Sequence, residues 1–100
     1  MIMGYSVKFT HEAQENFHEI NSYLTDNFGI RVKDNFKEKL TACLRLIAKN
    51  PHLFPFFDEE EQVRRAVIMR VFSLYYHIKT EEVHILAIIN NKKERPDFNS

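Results

Sequence analysis

Apolar and polar residues change their period along the chain, and each change marks an element. Tyr5-Ser6-Val7-Lys8-Phe9 alternates and is rich in β-formers, which predicts a short first strand. From Thr10 the period lengthens. Ala13, Phe17, Ile20, Leu24 and Phe28 recur at three- and four-residue steps, as one apolar face of a helix does. Thr10 is the candidate N-cap, with Glu12 and Glu15 near the positive end of the helix dipole. Asn27-Phe28-Gly29 predicts the stop, because glycine takes the left-handed C-terminal conformation cheaply. Val32, Phe36, Leu40, Cys43, Leu44 and Ile47 then line a second helix, which Asn50-Pro51 ends. Two helices joined by about three residues must lie antiparallel as a hairpin.

Pro51 to Glu61 reads as a loop that Leu53, Phe54, Phe56 and Phe57 fold back onto the core. The pattern then turns to strand over Val63 to Ile68, Arg70 to Lys79 and Glu82 to Asn90, with Thr80-Glu81 as a tight turn. Pro96 closes it, and a polar tail runs from Asn90 to Ser100. The order strand, helix, helix, three strands predicts a single α+β domain over residues 1–100, with the helix hairpin on one face of a mainly antiparallel sheet. Both alternation classes of the last two strands are partly apolar. Phe72, Leu74, Tyr76 and Ile78 oppose Val71 and Tyr75, while Val83, Ile85, Ala87 and Ile89 oppose Leu86 and Ile88. A two-layer fold covers one sheet face, so the other is left for a partner, or for the tail or the Phe54–Phe56 loop. Phe72, Leu74 and Tyr76 are the partner-binding candidates if their parity faces outward, and Val71 and Tyr75 if it does not.

Composition narrows the class. One hundred residues hold one core, and 44% hydrophobic residues with only two glycines exclude a disordered chain. The single cysteine, Cys43, excludes an internal disulfide and fits a reducing compartment. No window approaches the ~18 apolar residues of a membrane span, and the start lacks the pattern of a signal peptide. Both point to the cytoplasm. Lys+Arg and Asp+Glu are each 14, so the net charge is zero, which argues against nucleic acid as the main partner. The charge is unevenly placed, however. Asp58-Glu59-Glu60-Glu61 is a run of acids, and Gln62 to Thr80 carries only Arg64, Arg65, Arg70 and Lys79.

Familiar chemical signatures are missing: there is no phosphate-cradling glycine loop, paired-cysteine motif or nucleophile elbow. The five histidines are scattered, so no metal is expected, and no cofactor. Cys43, among Leu40, Leu44 and Ile47, reads as a buried structural thiol. Arg64 and Arg65 point to opposite sheet faces, and at most one of them joins Arg70. Such a pair either holds an anion bidentately or neutralises the acid run. Lys92, Lys93 and Arg95 form a second basic cluster, or a solvated tail.

Several of these segments carry a family resemblance. They are Ala13 with Phe17 and Ile20, Tyr23-Leu24, Asn27-Phe28-Gly29, and the helix end Leu44-Arg45-Leu46-Ile47-Ala48-Lys49-Asn50-Pro51. The strand Arg70-Val71-Phe72-Ser73-Leu74-Tyr75-Tyr76-His77-Ile78 follows. The finish is Val83-His84-Ile85-Leu86-Ala87-Ile88-Ile89-Asn90 with Lys92, Lys93 and Arg95-Pro96. In this order and spacing the chain, from about Tyr5 to Phe98, resembles the RelE/ParE toxins of type II toxin–antitoxin (plasmid stabilisation) modules.

The resemblance implies a growth-inhibiting toxin, a three-stranded antiparallel meander after the helix hairpin, and a cognate antitoxin that wraps the toxin with a helix or strand. The RelE branch cuts mRNA on the ribosome; the ParE branch binds DNA gyrase and cuts no RNA. Cutting RNA through its own 2′-hydroxyl requires a base, a proton donor and cations for the phosphorane. Arg65, Arg70, Lys92, Lys93 and Arg95 are the residues that would supply such a site. The position resembling that branch's strand arginine is Ser73, its tail arginine is replaced by Lys93, and its terminal tyrosine falls near Asn99. These departures favour a ParE-like toxin that binds a protein target and does not itself bind DNA. A RelE-like nuclease and an inactivated toxin-fold interaction module are the alternatives.

Overall fold

The computed structural model describes residues 4–92. Within them the chain forms β1 (Ser6–Phe9), α1 (His11–Phe28), α2 (Ile30–Lys49), β2 (Phe56–Asp58), β3 (Val63–Ile68), β4 (Phe72–Lys79) and β5 (Glu82–Asn90). The helix hairpin packs on one face of a five-stranded sheet of order β1-β5-β4-β3-β2. The expected α+β class holds, with two changes to the sheet. It is mixed, because β1 pairs with β5 in parallel, Val7 beside Val83 and Phe9 beside Ile85. And Phe56–Asp58, expected as loop, adds a fifth strand against the start of β3. No helix among the described residues is long and apolar enough to cross a membrane.

The helices form where the apolar period places them. Thr10 caps α1: its Oγ1 accepts from the Ala13 N–H at 3.2 Å and donates to the Ile85 carbonyl at 2.9 Å. Gly29 alone joins the two helices, at φ 96, a conformation that disfavours any Cβ. Its N–H reaches back to the carbonyls of Leu24 and Thr25 at 3.0 and 3.1 Å. Linked this tightly, α2 must fold back along α1. Ala13, Ile20 and Leu24 of α1 and Phe36, Leu40 and Ile47 of α2 are buried against Leu74, Tyr76, Val83 and Ile85. The Phe36 ring lies 5.1 Å from Phe72 and 6.4 Å from Phe17. Each such ring contributes about 1.5–3 kcal/mol by burial.

The two-sided apolar pattern of the last strands has a geometric cause. Tyr75 pairs with Ala87 but Tyr76 pairs with Ile85, so Leu86 is an extra residue in β5. This bulge reverses the alternation. Val83 and Ile85 before it and Ile88 after it face the helices, whereas Ala87 and Ile89 face the other way. On that outer side Val63, Tyr75, Ala87 and Ile89 form a second, smaller cluster, packed against by Phe57 and Leu86. The Phe57 and Tyr75 rings meet edge to face at 4.8 Å.

Beyond Ile85, β1 no longer covers the edge of β5, because the chain has left into α1. Side chains of that segment take over. Asn16 Oδ1 accepts from the Ile88 N–H at 3.0 Å, and Thr10 Oγ1 lies 3.2 Å from the Leu86 carbonyl. An exposed strand edge is thereby closed by a helix.

Candidate interaction surface and basic edge

The structure sorts the candidate residues into those already used by the fold and those left at the surface. Phe72, Leu74 and Tyr76 belong to the first group. All three face the helices and are buried in the main core, so they are not a partner surface. Tyr76 also donates its hydroxyl hydrogen to the Pro51 carbonyl at 2.8 Å. The parity that faces outward carries Ser73 and Tyr75, and Tyr75 is itself buried beside Phe57. Val71 is half-buried against the main core. The open apolar sheet face expected from the sequence is therefore closed in this part by Phe57 of β2, not by Phe54 or Phe56.

Arginines 64 and 65 do lie on opposite faces, yet neither forms an anion clamp with Arg70. Arg64 donates to the Phe54 and His52 carbonyls at 2.7 and 3.3 Å and stacks 4.0 Å over the Phe56 ring, which pins the loop between α2 and β3. Arg65 pairs with Tyr75 across the sheet and lies 5.5 Å over Phe57. Arg70 sits past the far end of β3, in the turn Met69-Arg70-Val71. Among the described residues no ion pair joins these arginines to Asp58–Glu61. That acid run instead turns the chain, with the Asp58 carboxylate accepting from the Glu61 N–H at 3.1 Å.

Ser73 is fully buried, and its hydroxyl lies 2.6 Å from Asn91 Oδ1. At the position that the family resemblance matches to the RNA-cutting branch's strand arginine, this chain thus has a short, buried side chain on the outer sheet face. Lys92 is exposed just past β5, next to Asn91, whose N–H donates to the Val71 carbonyl at 2.7 Å. This bond ties the end of β5 to the turn that carries Arg70. Of the nuclease candidates, Arg70 and Lys92 are therefore brought to one end of the sheet and Arg65 is not. Lys93 and Arg95, and Asn99 with them, lie outside the described residues.

A polar cluster around His77 and His84, which from the sequence read as lone strand positions short of a metal's ligands, occupies the opposite end of the outer face. His77 and His84 pair across β4 and β5 with ring centroids 5.6 Å apart. His84 Nε2 lies 2.9 Å from Glu82 Oε1, and Lys8 Nζ lies 3.2 Å from Glu82 Oε2. Burial, then His84 and Lys79, hold the His77 imidazole below its ordinary pKa. Hydrogen bonds from His84 and Lys8 hold the Glu82 carboxyl below its own. Among the described residues no group of three or more His, Cys, Asp or Glu side chains is placed to hold a metal. Cys43 is half-buried on α2, and burial pushes its thiol up to about 11, which makes it a poor nucleophile near neutrality.

Comparison with known proteins agrees with this architecture. A chain of the chromosomal ParDE toxin–antitoxin system from P. aeruginosa superposes with a TM-score of 0.74 at 19% identity, over 86% of this chain and 95% of that one. A chain of the RelBE2 toxin–antitoxin complex from Mycobacterium tuberculosis gives 0.53 at 19% identity, over 90% and 94%. TrmO from Pseudomonas aeruginosa gives 0.56 at 13% identity over 90% of this chain, but only 37% of that larger one. At these identities each likeness is one of fold. No curated protein matches the chain by sequence. The family model described as the ParE toxin of the type II toxin–antitoxin system parDE matches residues 7–95, nearly the whole length. The chain belongs to the ParE toxin family of type II toxin–antitoxin systems.

Proposed function

We propose that this chain is the toxin of a type II toxin–antitoxin module, that it arrests growth in the cytoplasm by binding DNA gyrase, and that a cognate antitoxin neutralises it. Family membership supports the toxin role. The observation that carries binding over catalysis is Ser73. It stands at the strand position where the RNA-cutting branch has an arginine, is fully buried, and is engaged with Asn91. A phosphorane needs cations, and losing one transition-state contact of this kind costs roughly 10²–10³-fold in rate. Binding needs only an exposed, complementary surface. The ribosome-dependent nuclease is the second reading, supported by Arg70 and Lys92 gathered at one end of the sheet; a toxin fold kept as an inactive interaction module is the third.

Induced expression separates the three. The proposed function predicts growth arrest that the antitoxin reverses, loss of supercoiling by purified gyrase, and intact ribosome-bound mRNA. Codon-proximal mRNA cuts that vanish with Lys93→Ala would establish the nuclease instead, and unimpaired growth at confirmed soluble expression would leave the inactive module.

A further inference from the structure

We infer that the target-binding surface of this toxin is the end of the molecule where the α1–α2 junction meets the β3–β4 turn, and that it fits a protein surface with an apolar recess rimmed by carboxylates. The topology brings the two loops to the same end of the molecule, with the Phe28 ring 6.0 Å from Tyr23, which lines a cleft with Phe72 and Asn90. Helix α1 starts at Ile85, contacts Ile88 through Asn16, and lines a cleft of about 130 Å³ with Glu19, Tyr23, Phe72 and Asn90. Its C-terminal end therefore passes the end of β5 and the start of β4, where Met69, Arg70 and Val71 turn the chain.

Three observations converge there. Phe28 and Ile30 flank Gly29 and are 59% and 62% exposed, two large apolar side chains held on the tightest link in the fold. Next, Met69 and Arg70 are consecutive non-glycine residues with φ of 56 and 66. Left-handed backbone is unfavourable for both, and a glycine or asparagine would relieve it. Met69 packs on the main core, which anchors the turn and leaves Arg70 projecting into solvent. A strained, anchored turn that presents an arginine is a feature retained at recognition sites. The third observation is charge. Arg31, Arg70 and Lys92 are exposed and have no carboxylate partner among the described residues. Of the acids at this end, Asp34 is taken by Lys33 at 2.9 Å, leaving Asp26 and Glu19 against the three cations. An aromatic anchor beside an arginine is the composition of interface hot spots, and the surplus of cations selects an acidic partner surface.

This assignment rests on the reading that the toxin acts by binding a protein. Two variants test it, Phe28→Asp and Arg70→Gly, with Leu53→Ser at the opposite end as a control. Leu53 is comparably exposed, at 52%, in the loop after α2. Each protein is scored for thermal midpoint, growth arrest on induction, and affinity for purified gyrase. Phe28→Asp and Arg70→Gly should each weaken gyrase binding by roughly 30-fold, as hot-spot residues do, and relieve growth arrest. Arg70→Gly should do so while raising or keeping the thermal midpoint, which separates recognition from structural damage. Leu53→Ser should change neither binding nor arrest. If wild type arrests growth without touching gyrase, and the two variants abolish that arrest, gyrase is the wrong target and the surface stands. If both variants arrest growth as wild type does, the surface is wrong whatever the target. A wild type without effect on growth or gyrase overturns both.

Discussion

Replacing Tyr76 by phenylalanine isolates one hydrogen bond at the centre of the fold. The ring is fully buried among the main-core residues of β4 and β5, so the substitution keeps the packing and opens no cavity. What it removes is the hydroxyl donating to the Pro51 carbonyl at 2.8 Å. Pro51 is itself buried, so its carbonyl gains no water in exchange. A satisfied hydrogen bond contributes about 1 kcal/mol net, and an acceptor left buried without a partner costs about 1–3 kcal/mol. Tyr76→Phe should therefore destabilise by about 1–2 kcal/mol. For a domain of this size each kcal/mol lowers the thermal midpoint by roughly 4–8 °C. Urea unfolding should show a lower midpoint with an unchanged slope, because the surface exposed on unfolding is the same. Burial also pushes the Tyr76 phenol up to about 12, so its ionisation should be delayed to strongly alkaline pH in a spectrophotometric titration, and Tyr76→Phe should lack that late step. An unchanged midpoint in Tyr76→Phe would refute the claim that this bond holds the loop after α2 against the sheet. Tyr76→Asp, which would probe a partner surface had this parity faced outward, should instead prevent folding, since it places a carboxylate in the core.

Two further outcomes follow from titratable groups. His77 has its pKa lowered in the folded state, so the unfolded chain binds the proton more readily. Its contribution is complete above the unfolded pKa of 6.5 and is lost as pH falls through the lower folded value. Glu82, also lowered, loses its contribution only below its unfolded value of 4.5. Stability should therefore decline on acidification in two steps, and urea titrations of His77→Gln should lack the upper one. At Cys43, burial and the raised pKa predict slow modification by thiol reagents near neutral pH in the native protein and rapid modification in urea; equal rates in both states would contradict the half-buried placement.

The helices, their shared core face and the approximate strands were legible because each is a local periodicity. Gly29 could be read as a stop because its backbone freedom is a property of one residue. The errors arose where the cause is non-local. The Leu86 bulge adds one residue to β5, and one residue is enough to exchange the two faces of a strand. From the sequence, Val83 to Ile89 shows mixed apolar character and no mark of where the reversal falls. The outward parity stays open in the sequence for a related reason: nothing in Phe72 to Ile78 says which parity meets the helices until the register with β5 is known. Phe57 and Phe56 are adjacent, so strand alternation sends them to opposite faces: Phe57 covers the outer cluster while Phe56 lies under Arg64, and only the pairing with β3 shows that this stretch is a strand. Asn16 gave no sequence signal at all. A polar residue on a helix reads as solvent-facing, and only the uncovered Ile88 N–H gives it a role.

The use of polar side chains within the fold bears on binding against catalysis. A metal-free nuclease needs groups that are mobile enough to exchange protons and close enough to share one phosphate. Arg64 is fixed on two carbonyls, Ser73 is engaged with Asn91, Tyr76 is engaged with Pro51, and Cys43 is half-buried with its thiol pKa raised. Each is held by structure or held from reacting. The histidine pair, which has the chemistry for proton transfer, lies at the β4–β5 turn, at the opposite end of the sheet from Arg70 and Lys92. The histidine pair is thus far from Arg70 and Lys92, with His77 seven residues from Arg70 along an extended chain, or roughly 23 Å at about 3.3 Å per residue. That span is several times the reach of a hydrogen bond to a common phosphate. At the end that carries the α1–α2 junction, the described residues present exposed Phe28 and Ile30, cations without a carboxylate partner among those residues, and the consecutive left-handed pair Met69 and Arg70. Such groups suit docking against a complementary protein surface, as the proposed function requires.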